Sequence, residues 1–308
     1  MSEPGTLARG LALAGALLLA GCGTSSSTDG ELGVARFAWA EDDVFACLVG
    51  CDAEAPVATG SVATLEVQNA AALPPFTVSS DDPMVVAVSV AADILVEGLR
   101  AGSARIRLEE QGSGDLIDTL VIDVADVARV EPDDEFLIAV DGGLDLELWL
   151  YDAFDEPLVG VGALAFAASP SLDMGQLEIH VGCDDIDHTE CVRLVGREVG
   201  MGLLEIEAVT GATDSVPLEL VDETAVTDID LTSQPITNGV RLRRTAYRNG
   251  ARIYGPACSW SLAPPTTNLF LANAERDQVD VGTTFNLGGT GTVTCEIGTA
   301  SESIDVTL

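Results

Sequence analysis

The densest chemistry in the chain is the run Cys183, Asp184, Asp185, Ile186, Asp187, His188, Thr189, Glu190 and Cys191. Two cysteines this close predict a small disulfide loop. Asp184, Asp185, Asp187 and Glu190 would then offer carboxylates, the hard oxygen ligands that suit calcium. The run lacks the spacing and the glycine of an EF-hand, and calcium needs about 6–8 converging oxygens. A solvated acidic loop is therefore the plainer expectation, and a rise in melting temperature with calcium would decide for the site. A second concentration is cationic: Arg241, Arg243, Arg244, Arg248 and Arg252 surround the turn-like pair Asn249 and Gly250, with Tyr247 and Tyr254 between them. Guanidinium forks grip carboxylates and phosphates at two points, so these residues read as an anion-binding patch. The opposing expectation is the outward face of a β-hairpin whose arginines meet nearby carboxylates. No comparable set suggests catalysis. His180 and His188 are the only histidines, Gly-x-Ser-x-Gly and a phosphate loop are missing, and no nucleophile with its base can be nominated. The expectation is a non-enzyme with no cofactor, calcium being the one candidate.

The cysteines carry the reading of compartment. Arg9 precedes an apolar run from Leu11 to Ala20 that ends in Leu19, Ala20, Gly21 and Cys22. The run is far short of the roughly 20 residues of a spanning helix and reads as a secretory signal. Its end resembles the lipobox of bacterial lipoproteins, which implies cleavage before Cys22 and lipidation of that cysteine. Residues 1–21 are then the signal, and residues 22–34, rich in Gly, Ser and Thr, are a flexible tether. Six cysteines remain, an even number that suits an oxidising compartment. Pairing by nearness gives Cys47 with Cys51, Cys183 with Cys191 and Cys258 with Cys295, although spacing alone leaves other connectivities open. The last closes the longest loop and would contribute up to about 4 kcal/mol, against about 2 for the first. Zinc is disfavoured by there being only two histidines and by the lack of paired CxxC motifs.

Charge excludes whole classes of partner. Asp and Glu number 50 against 14 cationic residues, all Arg, giving a net charge of −36. Such a chain is repelled by nucleic acid and by anionic lipid, so membrane contact falls to the lipid anchor. Gly23 after Cys22 is not the aspartate that retains enterobacterial lipoproteins at the inner membrane. The outer membrane is expected, with the body facing either the periplasm or the cell surface.

The elements that position these residues read as strands. Leu144, Leu146, Leu148 and Leu150 share one parity, as do Val240 and Leu242, Val62 to Val67 is strand-like, and no segment keeps a helical period. One ending recurs about every 90 residues: Gly102, Ala104, Ile106, Leu108; then Gly200, Gly202, Leu204, Ile206; then Gly289, Gly291, Val293, Cys295. Upstream of each stands one aromatic, Phe76, Phe166 and Trp260, expected to point inward. These landmarks predict an all-β protein of three tandem immunoglobulin-like β-sandwiches, at residues 35–126, 127–222 and 223–308.

Within the first, Ser79, Ser80, Asp81, Asp82, Pro83, Met84, Val85, Val86, Ala87 and Val88, followed by Val96, Gly98, Leu99, Ala101, Gly102, Ala104 and Ile106, resemble the bacterial immunoglobulin-like group 2 domain. The resemblance covers residues 79–108 and implies an extracytoplasmic spacer or adhesive module without catalytic residues. The function expected is a noncatalytic, lipid-anchored envelope protein, acting as spacer or binding module. The alternatives are a calcium- or glycan-binding receptor component and a periplasmic partner of an outer-membrane assembly, docking through sheet edges.

Overall fold

The computed structural model describes residues 28–40, 53–132, 136–169, 176–183, 190–263, 268–283 and 288–308. Cys22, Cys47, Cys51, Asp184, Asp185 and Asp187 lie outside them, as do the signal and residues 22–27 of the tether. The described residues form strands, with two single 3-10 turns at Ala70–Ala72 and Glu223–Ala225. The first unit contains β1 (Thr28–Asp29), β2 (Arg36–Trp39), β3 (Val57–Ala58), β4 (Val62–Val67), β5 (Phe76–Ser80), β6 (Val86–Val90), β7 (Ile94–Gly98), β8 (Gly102–Glu110) and β9 (Leu116–Ala125). The second contains β10 (Arg129–Glu131), β11 (Phe136–Ala139), β12 (Gly143–Tyr151), β13 (Pro157–Leu158), β14 (Leu164–Ala168), β15 (Leu177–Val181), β16 (Glu190–Gly196), β17 (Gly200–Ala208) and β18 (Thr213–Val221). The third contains β19 (Asp228–Ile236), β20 (Gly239–Arg248), β21 (Ala251–Tyr254), β22 (Ser259–Ala263), β23 (Leu269–Ala272), β24 (Gln278–Thr283), β25 (Thr290–Ile297) and β26 (Ala300–Thr307).

Each unit is a two-sheet sandwich of immunoglobulin type. One sheet runs β2-β4-β7-β6 in the first unit, β10-β12-β16-β15 in the second and β19-β20-β24-β23 in the third. The facing sheet runs β5-β8-β9-β3, then β14-β17-β18-β11, then β22-β25-β26. The repeated ending is the middle strand of that facing sheet, β8, β17 or β25. Glycine opens the strand, and the residues that follow at every second position enter the core. Ala104, Ile106 and Leu108 are buried, as are Leu204, Ile206 and Ala208, and Val293, Cys295 and Ile297. Arg105, Arg107, Glu205 and Glu207 stay exposed on the opposite face, as the pleat requires. Phe76, Phe166 and Trp260 point inward and are half-buried. Trp260 packs on both halves of the third core, and its indole N–H donates to the Glu275 carbonyl at 3.2 Å.

Consecutive units are joined by backbone pairing. The strand β3 runs parallel to β9 on the edge of its own sheet, and β11 does the same with β18. The other edge of each is then taken by the next unit. After its strand β12 the second unit sends out an arm, β13, whose following residue Val159 bridges Val57 in parallel. The Ala58 N–H donates to the Val159 carbonyl at 3.0 Å and the Val159 N–H to the Pro56 carbonyl at 2.9 Å. The third unit repeats this with β21, which pairs parallel to β11 at Leu137↔Ile253 and Ile138↔Tyr254. Core membership crosses both joints. Val159 is buried in the first core and Ala58 in the second, while Leu137 and Ala139 are buried in the third. The third unit differs at one edge: β19 stays paired with β20 over its whole length and lies close beside β26 without forming a ladder with it.

Candidate functional site

Both local disulfides among the described residues form as nearness predicts. Cys183 and Cys191 are bonded with Cα atoms 5.7 Å apart, and Cys258 and Cys295 with Cα atoms 5.6 Å apart. Cys295 sits in β25, and the residue opposite it in β22 is Trp260. That bridge therefore braces one sheet beside the aromatic, where the immunoglobulin pattern spans two sheets.

Glu190 departs from the acidic set expected in the loop. It shares parity with Val192 and Leu194 on β16, so its side chain enters the core and is 3% exposed. Its Oε1 accepts from the backbone N–H of Ala163 at 2.5 Å and of Leu164 at 3.2 Å. Burial pushes its carboxyl above the usual range, and these amide donors only partly oppose that. A carboxylate turned inward and occupied by amides is not available to a cation in the loop. Among the described residues, no three His, Cys, Asp or Glu side chains converge as a metal site.

The arginine patch is dispersed by the same parity. Leu242, Arg244 and Ala246 face inward on β20, while Arg241 and Arg243 face the other way. Arg241 is bidentate to Asp280, at 2.7 and 3.1 Å. Arg248 grips both oxygens of Glu219 across the second joint, with one contact at 2.6 Å. Arg252 stacks over the Tyr254 ring at 4.5 Å. Arg244 is buried and donates to the Pro256 carbonyl and, at 3.3 Å, to the Arg276 carbonyl. Burial draws its guanidinium down to about 10, still charged at neutral pH. The five arginines therefore do not share one face, Arg244 turning inward while Arg241 and Arg243 turn out.

An acidic cleft not foreseen from the sequence lies between β1 and β9, with a volume of about 400 Å³, lined by Thr28, Asp29, Glu31, Ala53, Glu54, Leu120, Val121 and Asp123. Its carboxylates are largely engaged. Glu31 binds Arg105 at 2.5 and 2.9 Å and Thr119 at 2.5 Å, and these bonds, Arg105 first, hold its carboxyl down at about 2. Asp29 meets Arg36 at 3.4 Å, and Asp123 accepts from Ser103. Beneath the cleft, Asp118 is fully buried and receives the N–H groups of Leu32, Val34, Ala35 and Thr119 at 2.7–2.8 Å. It ties the segment before β2 to β9. The sequence signal for Asp118, Glu190 and Arg244 is common to all three: each sits in register with an apolar stripe.

What the molecule leaves open is strand edge and outer face. Among the described residues no strand is paired to the outer edge of β26, although β19 lies close beside it. Val199, just before β17, and Met201 and Leu203 on it stand outward and exposed, on the face that further along carries Glu205 and Glu207.

No protein-family model matches the chain, and no curated protein does. Among solved structures, the surface layer protein SbsC, domains 4–9, is similar at 16% identity with a TM-score of 0.34, over 88% of this chain and 46% of that one. The chain thus spans less than half the length of that structure. The Escherichia coli adhesin FdeC is similar at 12% identity and TM-score 0.27, over 82% of this chain and 94% of that one. The Yersinia pseudotuberculosis adhesin InvE is similar at 15% identity and TM-score 0.25, over 56% of each.

Proposed function

We propose that this chain is a noncatalytic envelope module: three immunoglobulin-like domains, near residues 35–126, 127–222 and 223–308, held to the outer membrane by lipid on Cys22 and acting as one stiff spacer. The third domain presents the binding face. The observation that carries this reading is the twice-repeated joint. Each unit's arm pairs with the preceding unit's edge strand, so the units cannot swing as beads on linkers do. Stiffness of that kind serves to hold something at a fixed distance.

Several further features support it. The Cys183–Cys191 and Cys258–Cys295 bridges suit an oxidising compartment. The engagement of these arginines and carboxylates in ion pairs and backbone bonds supports a structural role, and residues 79–108 resemble a domain used for spacing and adhesion. Two measurements test the proposal on whole cells. Cys22→Ala should move the chain from the membrane fraction to the soluble one; retention in the membrane would remove the anchor. Protease shaving of intact cells, following an epitope after Leu308, should release the epitope while a periplasmic control survives. Protection until the outer membrane is broken would remove the adhesive role and leave a periplasmic scaffold.

A further inference from the structure

The chain contains two Asn-Gly pairs, Asn238–Gly239 and Asn249–Gly250, and each stands at a hairpin turn of the third unit. Asparagine before glycine is open to attack by the main chain on the side-chain amide, because glycine has no Cβ to shield its nitrogen or restrict its rotation. The fold treats the two pairs differently.

The Arg244 N–H donates to the Asp277 carbonyl at 3.0 Å, so the even-numbered residues of β20 aim their backbone groups at β24 and the odd-numbered ones at β19. The Gly239 nitrogen therefore faces β19 and closes the Ile236↔Gly239 pair. A Cβ on Gly239 would lie 2.2 Å from the Val281 carbonyl oxygen, so the backbone there has no room to turn. Asn249 and Gly250, by contrast, are the central residues of the turn that closes Arg248↔Ala251, with φ of 51° and 90°, the signature of type I′. Among the described residues, neither the Gly250 N–H nor the Asn249 side-chain amide has a hydrogen-bond partner. Both residues are exposed, and nothing lies within 4 Å of the place a Gly250 Cβ would take. The backbone just before them is held, the Asn249 N–H donating to the Thr227 Oγ1 at 2.9 Å.

We propose that Asn249 is a site of self-modification, converting in water to aspartate and isoaspartate, and that this conversion loosens the second joint. The Gly250 nitrogen gives up its proton to hydroxide and attacks Cγ of Asn249. The new N–Cγ bond closes a succinimide ring, while the Cγ–Nδ2 bond breaks and Nδ2 takes a proton from water and leaves as ammonia. Water then opens the ring at either carbonyl, giving aspartate, or isoaspartate in which the main chain runs through Cγ. Both products place a carboxylate directly after Arg248, which grips Glu219 across the joint. Isoaspartate also lengthens the main chain of a two-residue turn. The strand that follows the turn, β21, is the one paired with β11 at Leu137↔Ile253 and Ile138↔Tyr254. The inference goes beyond the spacer reading, and its chemical step holds or fails whatever the chain spaces or is anchored to.

For the test, the folded full chain is held at mildly alkaline pH, digested with pepsin in acid to halt the reaction, and mapped by mass spectrometry with isoaspartate resolved from aspartate. Asn249 should convert at least about tenfold faster than Asn238, whose glycine must first break a backbone hydrogen bond. In urea, where both turns are lost, the two rates should converge. Equal rates in the folded chain, a faster Asn238, or a difference that persists in urea would overturn the site. Hydrogen exchange on fresh and aged protein reads the joint. Exchange at Leu137–Ala139 and Ile253–Tyr254 should quicken in proportion to conversion, while Asn249→Gln, whose longer side chain closes the ring poorly, should age without that change. Unchanged exchange at those amides after Asn249 has converted, or the same loss of protection in the aged glutamine variant, would overturn the effect on the joint.

Discussion

Asp118 and Glu190 are two buried carboxylates bound to backbone amides, and their proton affinities move in opposite directions. For Asp118, burial raises the proton affinity, but four amide donors outweigh it and hold the carboxyl below its ordinary value of 3.8. Its contribution to stability is therefore full above that value and is lost as pH falls through the folded-state value. Asp118→Ala should destabilise the first unit by about 3 kcal/mol at neutral pH, since it strands buried donors. Urea unfolding of the variant should also show a weaker acid dependence than the parent. Glu190 has fewer donors and greater desolvation, and its carboxyl lies above 4.5. Its folded form binds the proton more tightly than the unfolded chain, so its contribution is greatest in acid and falls as pH rises through the folded-state value. Glu190→Gln keeps an acceptor for Ala163 and removes the charge. The unfolding midpoint should rise at neutral pH, and the decline between acid and neutral pH should flatten; a lower midpoint at every pH would sink this account.

Each joint depends on a left-handed glycine at closest approach. Gly160, at φ 106°, would place a side chain 2.3 Å from the Ser61 hydroxyl, and Gly255, at φ 73°, would place one 2.4 Å from the Gly143 nitrogen. Gly255→Ala should cost about 2 kcal/mol through strain and displacement of the arm. Its mark in hydrogen exchange should be faster exchange at Leu137–Ala139 and Ile253–Tyr254, with the β8–β9 pairing unaffected. Loss of protection spread evenly over all three units would show instead that the joint is not a local device. These pairings explain what the sequence could and could not disclose. The strands and their inward parity are legible because alternation has a period of two and is decided locally. Charge alone places Arg244 and Glu190 outward, since a charged side chain favours water. Their parity with Leu242 and Ala246, and with Val192 and Leu194, was the available sign to the contrary. The joints had no such local sign. Val57 meets Val159 and Leu137 meets Ile253 only after two sandwiches have formed, and valine, leucine and isoleucine at those positions look like any core strand.

At the scale of the whole molecule, stiffness is carried by backbone pairing and buried apolar residues at both joints, with the Arg248–Glu219 ion pair at the second as an addition. Salt screens charges and leaves the rest in place. The maximum dimension from solution scattering should therefore stay the same between low and high ionic strength, despite a net charge of −36. A marked contraction with salt would mean that repulsion, and not the joints, keeps the units apart. The parallel pairing of β11 with β18 has a mechanical side as well. Once the short antiparallel strand β10 is peeled from β12, tension in the second unit falls on β11 and on β18, drawing the two strands past one another. Their hydrogen bonds are loaded together in shear and must fail together, as must those of β3 and β9 in the first unit. Among the described residues the third unit has no such pair: its entering strand, β19, is bonded antiparallel to β20 and can be peeled one bond at a time. Stretched from its two ends, the molecule should yield in its last sandwich first, so that a pull at the far end is absorbed there while the two units nearest the tether hold their length.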